Sequence, residues 1–330
     1  FESRRKKLQR FLDWEAFSLE NCWFPWLKHL VGQYWQPRAV IYVAIDRTSW
    51  GCINILMVSL IWNHRAWPIY WTLLDKKGSS NLQEQQAVLV KVIALLADYK
   101  VVVLGDQEFC SVKLGKWLSE QKTYFCLRQK KDTQVLQDGV WLEMRELGLT
   151  PGISLFFNEV NITKQLGFGT FNLACKWKRK YQGFAPDEGW YILTNFDSVD
   201  AAIRSYQKRF CIEEMFRDFK QGGYQLEGTK VEGDRLQKIV LLIAIAYTTA
   251  SLEGKTIQKM GLQKYIGRPE KSKQQNRRHS SFYIGLHAHN WVRQWQNQQE
   301  IVQELMQINR HKLPYYRKGL RAMDLILSRI

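Results

Sequence analysis

Four residues in one short stretch, Tyr206, Arg209, Glu213 and Lys220, bring a phenol, two cations and a carboxylate at spacings of three, four and seven. Set on a helix over Ser205–Lys220 at about 100° per residue, they share an arc of about 60°. Ile212, Met215 and Phe219 take the opposite side at spacings of three and four, the pattern of a face packed on a core. A stripe of fixed charge opposite a packed face suits a site that holds something anionic around a metal or a proton-transferring carboxylate. Alone, the same stripe also describes a solvated helix face, so its meaning depends on what else the chain brings to it.

Two aspartates are the natural companions. Asp46 follows the apolar run Ala39–Ile45, and Asp106 follows Val101–Leu104 and Gly105. A carboxylate at the buried edge of a sheet is costly to desolvate unless a cation or a metal stands beside it. Either aspartate singly could begin a turn. Two neighbouring strands of one sheet, however, would bring both ends side by side, and Glu213 on a helix packed against that sheet makes three convergent carboxylates. Oxygen-only ligands of this kind suit Mg²⁺ or Mn²⁺, with substrate phosphates and water completing the shell. Two such ions can activate an attacking hydroxyl and stabilise the leaving oxygen of an in-line displacement at phosphorus.

Composition points to a compatible substrate. Lys and Arg number 48 against 31 Asp and Glu, a net charge of +17, which makes a polyanion the leading partner, nucleic acid before membrane. With 330 residues, 45% of them hydrophobic, and 14 Trp, the chain can bury one large core or two ordinary ones and is not disordered. The six cysteines are scattered without a C-x-x-C pair or a nearby His, and read as small core residues in a reducing compartment. The longest apolar run, Ile239–Tyr247, is nine residues, too short to cross a bilayer. No signal peptide is visible, so a cytoplasmic location is the expectation; the start at Phe1 rather than Met leaves upstream sequence open. His287-x-His289 lacks a nearby acid or cysteine, and Gly167-x-Gly169 lacks the third glycine and following helix of a phosphate loop.

The elements that must position these groups follow from periodicity. Residues 1–35 read as helical with a basic start, and Pro37 breaks the chain. Strands are expected over 39–45, 53–62 and 67–74, joined by short links that suggest antiparallel pairing. Ser80 can cap a helix over 81–98, followed by a strand at 101–104, a helix at 111–120 and a strand at 122–128. Glycines and short runs rich in Val, Phe, Trp and Ile make 129–196 a mostly β insertion, closed by a strand over Trp190–Phe196. Asp197 or Ser198 can cap the next helix, Gly222-Gly223 ends it, and a long apolar helix covers roughly 234–252. The stretch 256–330 is basic and helical, with Arg268, Lys271, Lys273, Arg277 and Arg278 clustered ahead of Ser280. The divisions are therefore 1–35, a core in two parts at 36–128 and 197–255, the insertion at 129–196 and the basic region at 256–330.

Tyr206, Arg209, Glu213 and Lys220 reproduce Y-x2-R-x3-E-x6-K, and the chain thereby resembles the DDE transposases of bacterial insertion sequences that carry the YREK signature. Asp46 in I-D-R-T and Asp106 in L-G-D-Q-E-F resemble that family's two aspartate motifs; Gln107 departs from the arginine common after the second. The resemblance runs from about residue 36 to 255. It implies an α/β, RNase H-like mixed sheet flanked by helices, with a mostly β insertion ahead of the glutamate-bearing helix. It implies Asp46, Asp106 and Glu213 as ligands of two Mg²⁺ or Mn²⁺ ions, with Glu214 a rival that lies about 100° round the helix. Tyr206, Arg209 and Lys220 would grip phosphates at the transposon end. Trp190, in W-Y-I-L-T, would stack on a base flipped out near the cleavage site, as in members that pass through a hairpin intermediate. Arg128, Lys130 and the Lys176–Lys180 cluster are further candidate DNA contacts. The implied partners are double-stranded DNA, as transposon ends and target, and a second copy of the chain on paired ends, with an end-binding domain expected upstream. A transposase-derived DNA-binding protein without catalysis and a non-transposing nuclease on the same fold are the alternatives.

Overall fold

Short unbroken runs of Val, Ile and Leu suit strands covered on both faces, and in the computed structural model those ahead of residue 130 lie in one eight-stranded sheet. Described are residues 2–163, 170–179, 183, 186–267, 279–296, 299–308 and 311–328. The basic cluster Arg268–Arg278, the Gly167–Gly169 turn and Lys180 lie outside them. The chain divides into two units, Phe1–Leu241 and Leu242–Ile330.

In the first unit, α1 (Glu2–Leu12) and α2 (Phe24–Tyr34) precede β1 (Val40–Trp50), β2 (Ile53–Trp62) and β3 (Arg65–Leu73). Then come α3 (Leu82–Leu95), β4 (Lys100–Gly105), α4 (Val112–Glu120) and β5 (Tyr124–Arg128). The insertion supplies β6 (Gln134–Gln137), β7 (Val140–Glu143), β8 (Ser154–Asn161), β9 (Thr170–Lys176) and β10 (Trp190–Thr194). Helices α5 (Val199–Gln207), α6 (Phe210–Lys220) and α7 (Gly233–Lys259) follow. The sheet order is β3-β2-β1-β4-β5-β10-β9-β8, with β6 and β7 paired separately. β1, β2 and β3 are antiparallel neighbours, whereas β4 and β5 run parallel to β1. That order and those directions are the RNase H-like core. The insertion strands β10, β9 and β8 extend its far edge antiparallel, so one sheet carries both.

β2 is buried at every position from Asn54 to Leu60, which requires cover on both faces. Helices α3 and α4 supply packing against β2, β3 and β5, and α5 and α6 against β1–β5 and β8–β10. Ile212, Met215, Phe216 and Phe219 are the buried side of α6, and Met215 Sδ receives the Ser59 hydroxyl at 3.6 Å. Trp23, Trp67 and Trp71 are fully buried near the β3 edge, where the Trp23 indole donates to the Ile69 carbonyl at 3.1 Å.

Four sequence expectations are corrected. Asp46 does not end its strand: β1 continues to Trp50, because Arg47, Thr48 and Ser49 still find backbone partners on β2 until Gly51-Cys52 turns the chain. The cap of α3 is Asn81, not Ser80; it accepts from Glu84 N at 2.9 Å while Glu84 returns a bond to its own backbone. The helix over 205–220 is two helices. At Lys208-Arg209 the amides bond three residues back, to Ser205 and Tyr206, which overwinds the backbone, and Lys208 Nζ sits 3.2 Å from the Tyr42 ring centre on β1. Finally, α7 is by length and composition alone long and apolar enough to cross a membrane, because one helix joins Leu236, Ala250 and Leu252 to the nine-residue run; half of that apolar stretch is buried in the protein.

The second unit holds the rest of α7, with α8 (Gln263–Ile266), α9 (Ser281–Gln296), α10 (Gln299–Ile308) and α11 (Leu313–Leu327). Its core includes Ile257, Leu262, Ile284, Val292, Met323 and Ile326. Helices α7 and α9 meet at two glycines: a Cβ on Gly254 would lie 1.8 Å from the Ser281 carbonyl oxygen, and one on Gly285 would lie 1.8 Å from that of Ala250. Gly319, inside α11, would meet nothing within 4 Å. Gly254→Ala is therefore expected to destabilise the helical unit by about 1–3 kcal/mol, and Gly319→Ala to stabilise it by about 0.5–1 kcal/mol. Urea unfolding of the two variants checks the opposed signs.

Candidate active site

The parallel pairing of β1 with β4 sets the site. Ile45 pairs with Gly105, so Asp46 and Asp106 are the next residues of two adjacent parallel strands, which lie about 4.8 Å apart. Asp46 Oδ1 accepts the Arg47 amide at 2.7 Å, and Asp106 Oδ1 accepts the Glu108 amide at 2.9 Å as it caps the short turn Gln107–Phe109. Gly105 is needed there, since a Cβ would press on Phe109 Cβ at 2.8 Å and Leu127 Cδ2 at 3.0 Å. Burial first, and then the Asp106 charge, push the Asp46 carboxyl up to about 7, with Glu213 adding to the rise; the Arg47 amide and Arg209 oppose it.

Arg209 is the cation that answers this charge. It is buried at the α5–α6 junction, with Nη1 3.7 Å from Asp46 Oδ2 and Nη2 donating to Glu213 Oε1 at 2.6 Å. Its Nε and Nη1 are buried without a hydrogen-bond acceptor among the described residues. Glu213 is half-exposed, and its charge is felt at Asp46. Glu214 points its bonds elsewhere, to Arg217 and to Arg65 at 3.7 Å. Among the described residues no three His, Cys, Asp or Glu side chains are gathered closely enough to hold a metal ion. The aspartates are together; Glu213 is turned onto Arg209.

The other sequence candidates surround this centre in different states. Tyr206 is fully buried, and burial pushes its hydroxyl up against the pull of Arg209 and Arg128. Trp190 opens β10 half-buried, its ring 5.1 Å from Tyr206 and 5.8 Å from Phe210, with Lys178 Nζ 4.9 Å over it. Arg128 pairs with Glu188, which also accepts from Gln107 at 3.2 Å. Lys130 is exposed beyond β5. Lys220 donates to the Ser49 carbonyl at 3.0 Å, three residues beyond Asp46 on β1, and pairs with Glu227 at 3.1 Å.

One group of supporting residues was not singled out by sequence reasoning. Glu108 accepts Arg47 Nε through both oxygens, at 2.9 and 3.1 Å, and the Ser80 amide and hydroxyl, each at 2.9 Å. Arg47 reaches on to Asn54 Oδ1 at 3.0 Å, and Asn54 holds the carbonyls of Lys76 and Gly78. The residue after one aspartate and the second residue after the other thus form a part-buried ion pair. The signal was present: opposite charges within two residues of two acids whose strands are neighbours.

The raised Asp46 carboxyl has a consequence for stability. The unfolded chain would release this proton near 3.8, whereas the folded chain holds it to about 7. Stability therefore falls as pH rises across that window and stays lower above it. In chelator, Asp46→Asn is expected to unfold at a higher temperature than the parent near pH 8, by up to a few kcal/mol, with the gap closing as the pH is lowered through the window. Thermal scans at the two ends of the window read this directly, and equal midpoints at the higher pH would count against the buried charge.

Comparison with known proteins adds the family. No curated protein matches the chain in sequence. Among solved structures, a piggyBac transposase synaptic complex with hairpin DNA is 13% identical, with a TM-score of 0.40 over 84% of this chain and 66% of that one. A Marinitoga piezophila Argonaute in complex with 5′ OH guide RNA and target DNA is 12% identical, with a TM-score of 0.24 over 52% of this chain and 25% of that one. The chain thus spans just under two thirds of the first of these, and the fold assignment rests on its own strand order. The family model described as "Transposase DDE domain" matches residues 58–249, more than half of the chain, taking in Asp106, Trp190 and Tyr206–Lys220 and beginning twelve residues after Asp46. The chain belongs to the DDE-domain transposase family.

Proposed function

We propose that the protein cleaves DNA at the ends of a mobile element and joins the freed 3′-hydroxyl to target DNA, as a transposase of the YREK group. The observation that carries this reading is the in-register placement of Asp46 beside Asp106, with Glu213 reaching the same charge field through Arg209. The cap that Asp106 makes on the Gln107–Phe109 turn does not account for a second carboxylate beside it, since a part-buried like-charged pair costs free energy unless a cation is present. Asp46 and Asp106 fit a divalent cation by donor type: each has one oxygen engaged by a backbone amide, and the carboxyl pushed up to about 7 marks a charge deficit that a cation removes. Glu213 fits as the third donor once Arg209 releases it. When bound, two Mg²⁺ or Mn²⁺ ions would supply Lewis acidity and neutralise charge at phosphorus.

The chain's own residues supply the rest. Arg209, whose Nε and Nη1 make no hydrogen bond among the described residues, is suited to take a phosphate oxygen as it releases Glu213. Tyr206 walls the site next to Arg209 and Arg128. Trp190, packed on Tyr206 and Phe210, offers a ring on which an unstacked base can lie, which would serve a hairpin step. Arg128, Lys130 and Lys220 extend the basic surface that double-stranded ends and target would contact, and cutting two ends together implies a dimer on DNA.

Asp46→Asn, Asp106→Asn and Glu213→Gln are each expected to lower Mg²⁺-dependent nicking of an end-bearing duplex by at least about a hundredfold, with DNA binding nearly unchanged. Undiminished nicking by any one of them would remove that residue from the site. A strand-transfer assay on a pre-cut end then separates the readings: joined product supports transposition, cleavage alone a nuclease, and neither a DNA-binding protein.

A further inference from the structure

The helical unit contains an aromatic cavity that the chemistry above does not use. Its volume is about 410 Å³, within the range of small-ligand pockets, roughly 300–1,000 Å³. Tyr265 and Trp291 stack at 6.1 Å with their planes 28° apart, and Lys264 Nζ lies 5.3 Å from the Tyr265 ring centre. Tyr315 contributes a ring that is 73% exposed, too wet to be explained by core packing. Gly319 lines the same cavity from within α11. A glycine inside a helix lowers stability, and no neighbour crowds the place its Cβ would take, so packing does not require it there. With no side chain there, the α11 wall of the cavity stays open at Gly319.

We propose that this cavity takes an unpaired nucleobase of a DNA strand. Two stacked rings with a third aromatic exposed beside them match the flat π-face of a base. The lysine at the rim and the phenol groups add donors for phosphate or base edges. Charge favours the same occupant: residues 242–330 contain fifteen Lys and Arg against five Asp and Glu, so a phosphate-linked ligand is drawn to this unit. An aromatic or aliphatic side chain from another protein would fill the rings but draws nothing from that charge. Trp190 belongs to the other unit.

The test uses the full chain with Trp190→Ala, so that stacking on that ring does not contribute. Anisotropy titrations at one salt concentration compare a short oligothymidylate with an abasic strand of equal length and charge. The base-bearing strand is expected to bind about tenfold tighter. Adding Gly319→Leu, which fills the cavity, is expected to erase that preference. Adding Tyr315→Ala, at an exposed ring, is expected to reduce it at least threefold, and serves as the reading if the leucine variant does not fold. Absence of a preference in the Trp190→Ala chain, or a preference that survives the folded cavity variants, overturns the proposal. Competition by free dTMP as strong as by the strand would overturn a DNA strand as the source of the base. Nicking is scored on the unsubstituted chain: no base preference in the Trp190→Ala chain while the unsubstituted chain nicks fails the cavity alone, and a preference there while the unsubstituted chain does not nick fails the transposase reading alone.

Discussion

Parallel pairing of β1 with β4 is the constraint from which the rest of the site follows. Because Ile45 and Gly105 are partners, the next residue on each strand must share one small region, and both are aspartates. Two carboxylates at strand spacing in a partly buried place repel each other and lose hydration, which is what the raised Asp46 carboxyl records. The fold tolerates this only by bringing positive charge from a distance in sequence. Arg209 arrives from the α5–α6 junction, more than a hundred residues after the second aspartate. Arg47 faces the other way and is neutralised by Glu108.

The break between α5 and α6 has its physical meaning here. In a continuous helix Tyr206 and Arg209 would sit on one surface stripe. The overwound turn at Lys208-Arg209 instead buries Tyr206 beneath Trp190 and lets the Arg209 guanidinium reach β1. Lys208, over the Tyr42 ring, pins the junction to the same strand that carries Asp46. Arg209, which precedes α6, and Glu213 in its first turn are then one turn apart, close enough for a direct ion pair. The helix pair is thus a device for delivering a guanidinium and a carboxylate together to a fixed pair of acids.

Much of this was legible in the sequence because its causes are local. Unbroken apolar runs gave β1 to β5 within a few residues, and the aspartates that follow them gave the adjacency. The three- and four-residue spacing gave the buried side of α6. What was not legible depended on groups far apart in the chain. Asn81 rather than Ser80 caps α3, because Ser80 is claimed by Glu108 across the sheet. Asp46 lies inside a strand, because β2 offers backbone partners past the end of the apolar run. The junction at Lys208 depends on Tyr42, and no helical wheel drawn on 205–220 contains that contact. For the same reason the wheel put Arg209 and Lys220 together as equals, whereas one is buried among the acids and the other is tied to Ser49 and Glu227.

Arg209 and a divalent cation answer the same deficit, so they compete electrostatically even where they do not overlap. A guanidinium is a permanent charge that cannot be removed by pH, and it holds the acids in place without chemistry. Its two orphaned donors show that the ion pairs do not exhaust its bonding. A phosphate oxygen would satisfy them and draw the guanidinium away from the carboxylates at the moment that a cation becomes the better partner for Asp46, Asp106 and Glu213. Under the proposed function, substrate and metal would favour each other's binding through Arg209.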